Sequence, residues 1–492
     1  MELKVKILNW SAGIPVAMLN ESTANLIGVK TNGRISVKTI SKNPDSVSTI
    51  VDIAKTLVGK KQIAVSTELK ERLSLKNGQK VDVDLSINPR SLTFIKNKMN
   101  GKRLSQKEIS EIIYDITRNS LSDAEIALFI SAMYDKGMNM QETIYLINAI
   151  SNSGQKLKWK GKLIADKHSI GGIPGNRTTP LVVAICAAGG LIMPKSSSRA
   201  ITTAAGTADV IETIAKVEFS VKELKKIVEK TGACLIWGGS LEIVPADEKI
   251  ITIEKMLNID PESQLLASIM SKKLSLGANY ILIDIPYGKT AKVDKKKGEG
   301  LKKKFEYLGK YFKKKILVVL TKGDEPIGNG IGPVLEIFDI LKILKRSENR
   351  ALDLEKKSIF LSGKLFELTG KSKEGEGEKM AREILDSGKA LKKFSEIIKA
   401  QGGTVDHLKP AKFKKNILAT KTGKILWIDN KKINSLARIA GSPLDKAAGL
   451  YLHKHVGEKI KKGEKILTIY SESKTRLRES LRFFKLQKPI KF

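Results

Sequence analysis

Two short stretches, rich in glycine, hydroxyl and cationic residues, lie close together between Lys167 and Asp209. Glycines let a backbone approach a ligand and expose its N–H groups, and hydroxyls and cations donate to anionic oxygens. The pattern predicts a double phosphate-binding site. Two solvated loops would have a similar composition, but two cation-bearing loops on one short helix favour the phosphate site. The first loop carries Lys167, Ser169, Gly171, Gly172, Gly175, Asn176, Arg177, Thr178 and Thr179, and the second Lys195, Ser196, Ser197, Ser198, Arg199, Thr202, Thr203, Gly206 and Thr207.

The elements around these loops predict an α/β arrangement that places both loops at one edge of a sheet. Short apolar strands are expected at Leu163–Asp166 and Leu191–Met193, each running directly into one loop, with a small apolar helix at Pro180–Ala188 between them. In such sheets, ligands bind at the carboxyl ends of the strands. A second helix is predicted over Thr207–Ala215, and the dipole at its N-terminus would favour an anion.

Apolar periodicity predicts further strands and helices that extend this α/β region. The strands are Cys234–Trp237, Tyr280–Ile285 and Ile316–Leu320, and the helices are Val221–Thr231, Asp260–Leu274, Leu301–Phe312 and Ile331–Leu344. Residues 356–402 are expected to be helical as well. The region therefore predicts a large mixed α/β domain over residues 156–245 and 277–405.

The flanking segments predict three further parts, which makes the fold class α/β multidomain. Residues 1–86 form a β-rich N-terminal domain, with strands at Leu3–Leu8, Arg34–Thr39, Gln62–Ser66 and Lys80–Leu85 and helices at Val47–Val58 and Thr67–Leu73. Residues 87–155 form a helical domain, completed by about residues 246–276, with helices at Ser105–Arg118, Ser122–Lys136 and Asn139–Ser151. Residues 411–492 form an α+β C-terminal domain with short strands.

Composition narrows the class of protein. The 492 residues carry a net charge of +36 but only 5% aromatic residues, so the lysines suit solvated surfaces that attract small anions better than a nucleic-acid site. Two cysteines, both in apolar segments, exclude a disulfide framework and suit a reducing compartment. The sequence shows no secretory signal and no apolar run of about 18 residues. We therefore expect a cytoplasmic protein without nucleic-acid or membrane partners.

Common catalytic and metal motifs are absent or incomplete. Gly288-Lys289-Thr290 has only the end of a Walker phosphate loop, because Ile283 stands where the first glycine belongs. H-E-x-x-H, G-x-S-x-G and C-x-x-C do not occur. His453 and His455 alternate along a strand-like segment, but no other ligand lies at metal spacing, so we expect no metal site.

A phosphate site without a nucleotide-hydrolysis motif suits a reaction in which phosphate, or a phosphorylated sugar, is itself the reactant. Phosphorolysis of a nucleoside bond needs phosphate held beneath C1 of the sugar. It also needs stabilisation of an oxocarbenium-like ribose and a proton or hydrogen bond for the departing base. The two loops supply donors suited to the first two of these tasks.

Longer motifs in the same region resemble the thymidine phosphorylase family. The resemblance rests on Lys167-His168-Ser169-x-Gly171-Gly172, on Ser197-Ser198-Arg199-x-x-Thr202 and on Gly206-Thr207-x-Asp209. The blocks Pro174–Thr179, Ser198–Thr203, Pro245–Asp247, Asp260–Glu262, Leu265–Lys273, Ile283–Pro286 and Trp427–Asn430 are similar to its archaeal branch, the AMP phosphorylases. The resemblance covers essentially the whole chain.

This resemblance implies a fold like that of the type II nucleoside phosphorylases, in which a helical domain closes over the α/β domain. The implied reaction converts AMP and inorganic phosphate to adenine and ribose 1,5-bisphosphate, as a step in AMP catabolism and nucleotide salvage, with CMP and UMP as further substrates. Phosphate is then a co-substrate, and no other cofactor or metal is implied. The resemblance also implies a homodimer or larger homo-oligomer.

The resemblance assigns roles to individual residues. Asp260 matches the proton donor to the base, and Lys167 and Ser169, with Thr178, match phosphate-holding positions. His168 lies next to these positions. The positions that match nucleotide contacts are Gly172, Ser198, Arg199, Ala200, Ile201, Thr202, Thr203, Thr207, Ser268 and Lys292. Among them, Arg199 is the cation best suited to the phosphate of the nucleotide, because a guanidinium binds phosphate in a bidentate manner.

Each role has a plainer alternative in the residues themselves. Asp260 with Pro261 has the form of a helix N-cap, Ser268 suits a buried helix hydroxyl, and Lys292 suits a solvated surface lysine. The extra lysine at Lys289 leaves open which of the two lysines contacts the substrate. Two other activities also stay open, a pyrimidine nucleoside phosphorylase and a phosphoribosyltransferase, and so does a non-catalytic RNA- or nucleotide-binding protein, which the charge of +36 would suit. The transferase would use magnesium held by acidic pairs near the loops, and none lies between Lys167 and Asp209.

Overall fold

The computed structural model describes residues 1–86, 88–200, 203–406 and 408–492. The chain divides into two compact units, one of Met1–Gly154 with Val244–Ser271 and one of Gln155–Ile243 with Lys272–Phe492. The four-domain division is finer than this and stays a prediction. In the part of the chain that the structure describes, no helix has the length and apolar character needed to cross a membrane.

The first unit begins with a closed six-stranded barrel whose strand order is β1-β5-β2-β4-β3-β6. Alternating apolar side chains such as Leu3, Val5 and Val83 fill its interior. The elements are β1 Glu2–Ile7, β2 Val16–Asn20, α1 Glu21–Ile27, β3 Arg34–Thr39, β4 Ser46–Ala54, β5 Gln62–Val65, α2 Thr67–Arg72 and β6 Lys80–Leu85.

The helix predicted over Val47–Val58 is wrong, because most of this segment is strand β4. Its residues Val47, Thr49 and Val51 alternate with more exposed neighbours and are buried in the barrel. The strand pairs with β2 on one side and with β3 on the other. β-branched residues at a spacing of two fit such a half-buried strand better than a helix.

Four helices follow the barrel: α3 Ser91–Met99, α4 Gln106–Thr117, α5 Asp123–Lys136 and α6 Met140–Asn152. Capping boxes open α4, α5 and α6, each with a glutamate three residues after the cap. The three helices predicted here agree with α4, α5 and α6 to within one or two residues. Helices α3 to α6 bury one face each, and Lys98 forms a buried 2.8 Å ion pair with Glu142.

The α/β region contains the strands and helices that the sequence predicts, although α12 begins at Lys295 and not at Leu301. Its elements are β7 Ala165–Ser169, α7 Thr178–Ala188, β8 Met193–Ser197, α8 Thr207–Ile211, α9 Val221–Thr231, β9 Ala233–Trp237, α10 Pro245–Leu257, α11 Glu262–Ser275, β10 Tyr280–Tyr287, α12 Lys295–Tyr311, β11 Lys315–Lys322, β12 Gly330–Ile331 and α13 Pro333–Leu344. Helix α10 and most of α11 belong to the first unit, and the other elements belong to the second.

The parallel strands bring their carboxyl ends to one edge. Strand β10 pairs in parallel with β7 and β11, and β8 pairs in parallel with β9. A parallel bridge between Ile164 and Ile192 connects the two groups, so the spatial order is β9-β8-β7-β10-β11. The direction of the chain across the sheet reverses between β7 and β10, and ligands bind beside the carboxyl ends of strands at such a reversal.

Two strands extend further than predicted. The predicted strands end at Asp166 and Met193, whereas β7 continues to Ser169 and β8 to Ser197. Lys167, Ser169 and Lys195 are therefore strand residues, with less conformational freedom than loop residues. Helix α7 between the two strands is buried from Thr178 to Ala187, as its apolar composition predicts.

The chain then forms three more helices and a C-terminal α+β part. The elements are α14 Leu352–Thr369, α15 Gly377–Asp386, α16 Lys389–Ala400, β13 Phe413–Leu418, β14 Gly423–Lys424, β15 Trp427–Ile428, α17 Asn430–Ala440, β16 Gly449–Leu452, β17 Lys459–Ile460, β18 Lys465–Ser471, α18 Lys474–Gln487 and β19 Ile490–Lys491. Strand β12 of the α/β region pairs with β16, and Ala204 and Ile331 belong to the C-terminal core. The mixed α/β architecture agrees with the predicted fold class.

Candidate functional site

A cluster of buried charges lies within strands β7 and β8, around Asp166. Asp166 Oδ2 accepts a hydrogen bond from Lys273 Nζ at 2.6 Å, and Lys195 Nζ lies 3.4 Å from Asp166 Oδ1. All three side chains are buried. Burial alone would raise the pKa of Asp166, but Lys195 and Lys273 hold it below its ordinary value. The aspartate is therefore ionised and anchors two lysines beneath the predicted phosphate loops.

Lys167 adjoins this cluster from the next position of β7. Its side chain is only 1% exposed, and its Nζ donates to Thr178 Oγ1 at 2.7 Å. Burial lowers the pKa of Lys167 to about 7, although the nearby Asp284 favours the charged form. Asp284 is itself paired with Lys357 at 3.0 Å. An anion bound beside Lys167 would favour the protonated ammonium, as expected of a phosphate ligand.

Two serine hydroxyls end the same strands. Ser169 Oγ and Ser197 Oγ are buried and make no hydrogen bond to the residues that the structure describes, and Asn176 Oδ1 shares this property. Buried hydroxyls without partners are rare, because they lose their hydrogen bonds to water. These two serines are therefore donors suited to an oxyanion at the carboxyl ends of β7 and β8.

The first loop brings Gly172 and Lys292 together. Gly172 has φ = +92°, and a Cβ built on it would lie 3.0 Å from Lys292 Cβ and 3.1 Å from Lys292 N. The loop after β10 folds back through a parallel bridge between Tyr287 and Val293, which leaves Lys289 exposed. The geometry therefore favours Lys292 over Lys289 as the lysine next to the first loop.

In the second loop, the side chain of Arg199 is bonded to carboxylates. Its guanidinium makes two 2.7 Å hydrogen bonds to Glu212 and one of 3.1 Å to Glu218, and it lies 4.7 Å from the ring centroid of Trp237. The bonds to Glu212 raise the pKa of Arg199 further and lower that of Glu212 to about 2. To bind a phosphate in a bidentate manner, Arg199 would first have to give up Glu212.

Other predicted nucleotide contacts lie along the same loop. The Ser198 carbonyl accepts from the Ala208 N–H at 3.4 Å, and Thr203 Oγ1 donates to the Ala205 carbonyl at 2.8 Å. Thr207 Oγ1 accepts from Arg177 at 2.9 Å, and the Ala200 N–H donates to Asp209 Oδ2 at 2.7 Å. Ile201 and Thr202, also predicted contacts, lie outside the described residues.

The helix that follows this loop does not offer a free anion site. Helix α8 ends at Ile211, four residues earlier than predicted. The side chain of Asp209 accepts from the Gly206 N–H at 2.8 Å as well as from Ala200, so the helix provides its own carboxylate at its N-terminus. A carboxylate thus already lies at this N-terminus, and the expectation that the helix dipole favours a phosphate there stays a prediction.

His168 is the residue of β7 between Lys167 and Ser169. Burial lowers its pKa well below the ordinary value, and Lys273 and Lys195 act in the same direction. The imidazole is neutral at physiological pH. A neutral ring can donate one hydrogen bond and accept another, and it adds no charge to the site.

Two predicted residues, Asp260 and Ser268, lie in the first unit. Ser268 Oγ donates to Asp247 Oδ2 at 3.0 Å, and Gln264 Nε2 donates to Asp247 Oδ1 at 3.0 Å. Asp247 is fully buried, so these two bonds fix the orientation of Ser268 on α11. The Asp247 motif was recognised from the sequence only as part of the family resemblance.

Asp260 is an exposed carboxylate just before α11. The helix begins at Glu262, and its first hydrogen bond runs from the Leu265 N–H to the Pro261 carbonyl at 2.9 Å. Pro261 therefore occupies the N-cap position, and Asp260 precedes it by one residue. This position removes the main argument for Asp260 as the N-cap residue.

Several residues of the site were not recognised as such from sequence. Lys273 completes the charge cluster around Asp166, and Asp284 with Lys357 forms a second buried ion pair near Lys167. The signal for all three was charge within or beside an apolar strand or helix pattern. Arg177 lies in the first loop, where a cation suits a phosphate, but it is bonded to protein groups, among them Glu336 at 2.6 Å. No sequence spacing pointed to that pair.

The histidines of the C-terminal part have protein partners. His453 Nε2 lies 2.8 Å from Thr468 Oγ1, and His455 contacts Glu325 and Asn329 at 3.3 and 3.0 Å. Among the described residues, no group of three or more His, Cys, Asp or Glu side chains has the arrangement of a metal site.

Comparison with known families matches three segments of the chain. Residues 92–154 match the helical bundle domain of a glycosyl transferase family, and residues 161–391 match the α/β domain of that family. Residues 425–491 match the C-terminal domain of pyrimidine nucleoside phosphorylases. The loops and buried charges described above lie in the second of these segments.

Full-length relatives are named AMP phosphorylase. The chain is 41% identical to the one from Thermococcus kodakarensis, covering 100% of this chain and 98% of the relative. It is 39% identical to the one from Methanococcus vannielii, covering 99% and 97%. The solved anthranilate phosphoribosyltransferase from Thermus thermophilus has a TM-score of 0.53 and 19% identity, covering 63% of this chain and 99% of that one. That likeness shows the fold alone.

Proposed function

The chain belongs to the AMP phosphorylase family, and from that premise we propose that it cleaves AMP with inorganic phosphate to adenine and ribose 1,5-bisphosphate. The observation that carries the proposal for this chain is the arrangement at the ends of β7 and β8. There, buried Lys167 and the two hydroxyls of Ser169 and Ser197 provide donors for a phosphate.

In the proposed reaction, a phosphate oxygen forms a bond to C1 of the ribose while the bond from C1 to the base nitrogen breaks. The base leaves with the electron pair of that bond and takes one proton. Lys167, Ser169 and Ser197 would hold the phosphate, since charged and hydroxyl donors stabilise its oxygens. Thr178 binds the Lys167 ammonium and so orients it.

Protonation of adenine is assigned to Asp260, on the family resemblance. Adenine leaves poorly as an anion, so an acid that supplies the proton lowers the barrier. Asp260 is exposed to water in this structure, and burial of a carboxyl group favours its protonated form. The proposed role thus requires that the carboxyl become less accessible to water in the reacting complex.

The nucleotide contacts are proposed for the first loop, the second loop and helix α11. Gly172 and Lys292 adjoin one another, and Ser268 is oriented by Asp247. Arg199 is proposed to bind the 5′-phosphate, and to do so it would have to release Glu212. CMP and UMP are proposed as further substrates.

We also propose that the enzyme is a cytoplasmic homodimer or larger homo-oligomer. In this proposal it uses phosphate as its co-substrate, needs no other cofactor, and has neither nucleic-acid nor membrane partners. The net charge of +36, spread over lysines along the whole chain, supports attraction of small anions.

Incubation of the purified protein with AMP, with and without inorganic phosphate, tests the proposal by the release of free adenine. Adenine that forms only with phosphate supports it, and Lys167→Met should abolish the release whereas Lys162→Met, at an exposed position, should not. Cleavage of adenosine or uridine but not of AMP would favour a nucleoside phosphorylase. Release of adenine without phosphate, or no release, would contradict the proposal.

A further inference from the structure

We propose that Arg177 and Glu336 form a positioning clamp that holds the second loop in place without contacting the substrate. The proposal rests on the proposed function for its kinetic consequence, because the second loop is assigned to the nucleotide. The geometry of the clamp stands on its own contacts within the second unit. It gives Arg177 a different task from the phosphate ligand that its loop composition predicts.

Arg177 connects three segments. Its Nε donates to Glu336 Oε2 at 2.6 Å, its Nη1 to Thr207 Oγ1 at 2.9 Å and its Nη2 to the Ala205 carbonyl at 2.6 Å. Arg177 itself belongs to the first loop, directly before α7. One guanidinium therefore bonds the first loop to two points of the second loop and to α13.

Glu336 extends the same connection to the segment between β11 and α13, residues 323–332, here called the third loop. Its Oε1 accepts from the Gly332 N–H at 3.1 Å, while its Oε2 holds Arg177. The first loop rests on this third loop, since the Ile327 N–H donates to the Pro174 carbonyl at 3.1 Å. A Cβ built on Gly175 would lie 2.4 Å from the Ile327 carbonyl oxygen, so the two backbones touch.

The charge of Arg177 is satisfied within the protein. Arg177 is 8% exposed and Glu336 is 1% exposed, and each nitrogen of the guanidinium donates to a protein oxygen. A buried arginine paired in this way has little to gain from a substrate phosphate. Lys167 differs, because burial lowers its pKa and no carboxylate contacts its ammonium directly among the described residues.

The planar shape of the Arg177 guanidinium allows it to form all three hydrogen bonds of the clamp. Three oxygens in different directions are reached by one planar group, whereas a lysine ammonium at the same place is a single point charge on a flexible stem. Loss of the clamp should leave Ala205 and Thr207 without their link to α13. The second loop would then sample more conformations, and nucleotide binding would have to order it again.

Glu336→Gln tests the clamp, because it keeps the shape of the side chain and removes the charge. We expect KM for AMP to rise about tenfold or more, with kcat within about threefold, since a charge-assisted hydrogen bond becomes a neutral one. Arg177→Lys should raise KM by at least as much. The matched control is Glu355→Gln, which weakens another arginine–glutamate cluster, with Arg346 and Arg350, and should leave KM unchanged.

Hydrogen exchange of the peptides covering residues 196–209 provides a readout that is independent of catalysis. In Glu336→Gln these peptides should exchange faster than in wild type, and in Glu355→Gln they should not. If Glu336→Gln fails to fold, the double variant Arg177→Met/Glu336→Met replaces the pair by apolar side chains without leaving an unpaired charge. It should show the same rise in KM and the same faster exchange.

Unchanged KM and unchanged exchange in the folded variants would overturn the clamp. Equal effects in Glu355→Gln would do the same, because they would show a general loss of stability. Absence of adenine release by the wild-type protein would instead contradict the proposed function. The hydrogen-exchange comparison would still decide whether Arg177 and Glu336 order the second loop.

Discussion

A lysine ammonium that is removed from water and lies near other cations loses its proton more easily than one on the surface. Lys167 is in that situation, with a pKa lowered to about 7 by burial. The protonated form, which binds an anion, is present below about pH 7 and is lost as the pH rises through that value. The affinity of the site for anions should therefore fall over the physiological range.

Sulfate is the suitable probe of this effect, because unlike phosphate it does not change its own charge near neutrality. We expect the inhibition constant of sulfate, measured in competition with phosphate, to rise between pH 6.5 and 8.5, approaching about tenfold per pH unit above the pKa of Lys167. Lys167→Gln should bind sulfate weakly at all these pH values. An inhibition constant that is independent of pH in the wild type would show that Lys167 does not titrate in the site.

A substitution of Asp260 can distinguish a role in proton donation from a purely structural role. Asp260→Asn should fold normally and keep most of its AMP binding, because Pro261 and not Asp260 occupies the N-cap of α11. Its turnover should fall by roughly a hundredfold or more, as expected when a general acid is removed.

The measurements for Asp260 are adenine release and calorimetric binding of AMP without phosphate. The control is Glu262→Gln in the first turn of α11, which should retain turnover. Turnover of Asp260→Asn equal to that of wild type would remove Asp260 from the mechanism.

At the scale of elements, the strand ends and the glycines that follow them determine where ligand donors can stand. Strands β7 and β8 carry Lys167, Lys195 and the two serines on backbone held by sheet hydrogen bonds. The loop after β7 then needs positive φ at Gly171 and Gly172. Donors on strands are positioned more rigidly than donors on loops, which suits a small ligand such as phosphate.

Gly172→Ala should disturb the contact between the first loop and the loop after β10. The new Cβ would lie 3.0 Å from Lys292 Cβ, at a φ of +92° that side chains rarely adopt. We expect KM for AMP to rise about tenfold or more. Gly370→Ala is the control, because Gly370 also has positive φ, at +75°, but a Cβ there meets nothing within 4 Å.

The comparison of these two glycine variants distinguishes the effect of the contact with Lys292 from the effect of backbone strain at positive φ. Gly370→Ala should lower the thermal midpoint, at a cost of about 1 kcal/mol, and leave KM unchanged. An equal KM for Gly172→Ala and wild type would show that the proximity of Gly172 to Lys292 does not matter for the nucleotide.

At the scale of the molecule, the C-terminal part braces the loops of the α/β region. In α17, Asn434 Oδ1 accepts from the Ala204 N–H at 2.9 Å, and its Nδ2 donates to the Gly172 carbonyl at 3.4 Å. One turn earlier, Asn430 Nδ2 donates to Thr290 Oγ1 and to the Gly323 carbonyl at 3.1 and 2.9 Å. One helix face thus contacts all three loops assigned to the substrate.

Asn434→Ala should therefore weaken AMP binding although Asn434 has no assigned contact with the substrate. We expect a rise of roughly threefold to thirtyfold in KM, as one or two neutral hydrogen bonds are lost from buried partners. Ser435→Ala on the exposed side of the same helix is the control and should leave KM unchanged. A KM in Asn434→Ala equal to that of the control would show that α17 serves stability alone.

Much of the architecture followed from the sequence alone, because its signals are local. Helix starts with a serine or asparagine cap and a glutamate three residues later were predicted within one or two residues for α4, α5 and α6. The glycine-rich loops between an apolar strand and an apolar helix were also recognised as a ligand site. In each case the physical cause lies within a few residues of the chain, as in capping and in positive φ.

Only the tertiary structure decided which charged residues face a ligand and which face the protein. In the sequence, three cations of the two loops look equally suited to bind a phosphate: Lys167, Arg177 and Arg199. In the structure, Arg177 is bonded to Glu336, 159 residues away. Arg199 is bonded to Glu212 and Glu218. The sequence also did not predict how far strands β7 and β8 extend. The reason is the same, because the buried Asp166 is stabilised by Lys273, which lies 107 residues away. A charge can be buried only with its partner, and the fold alone brings distant partners together.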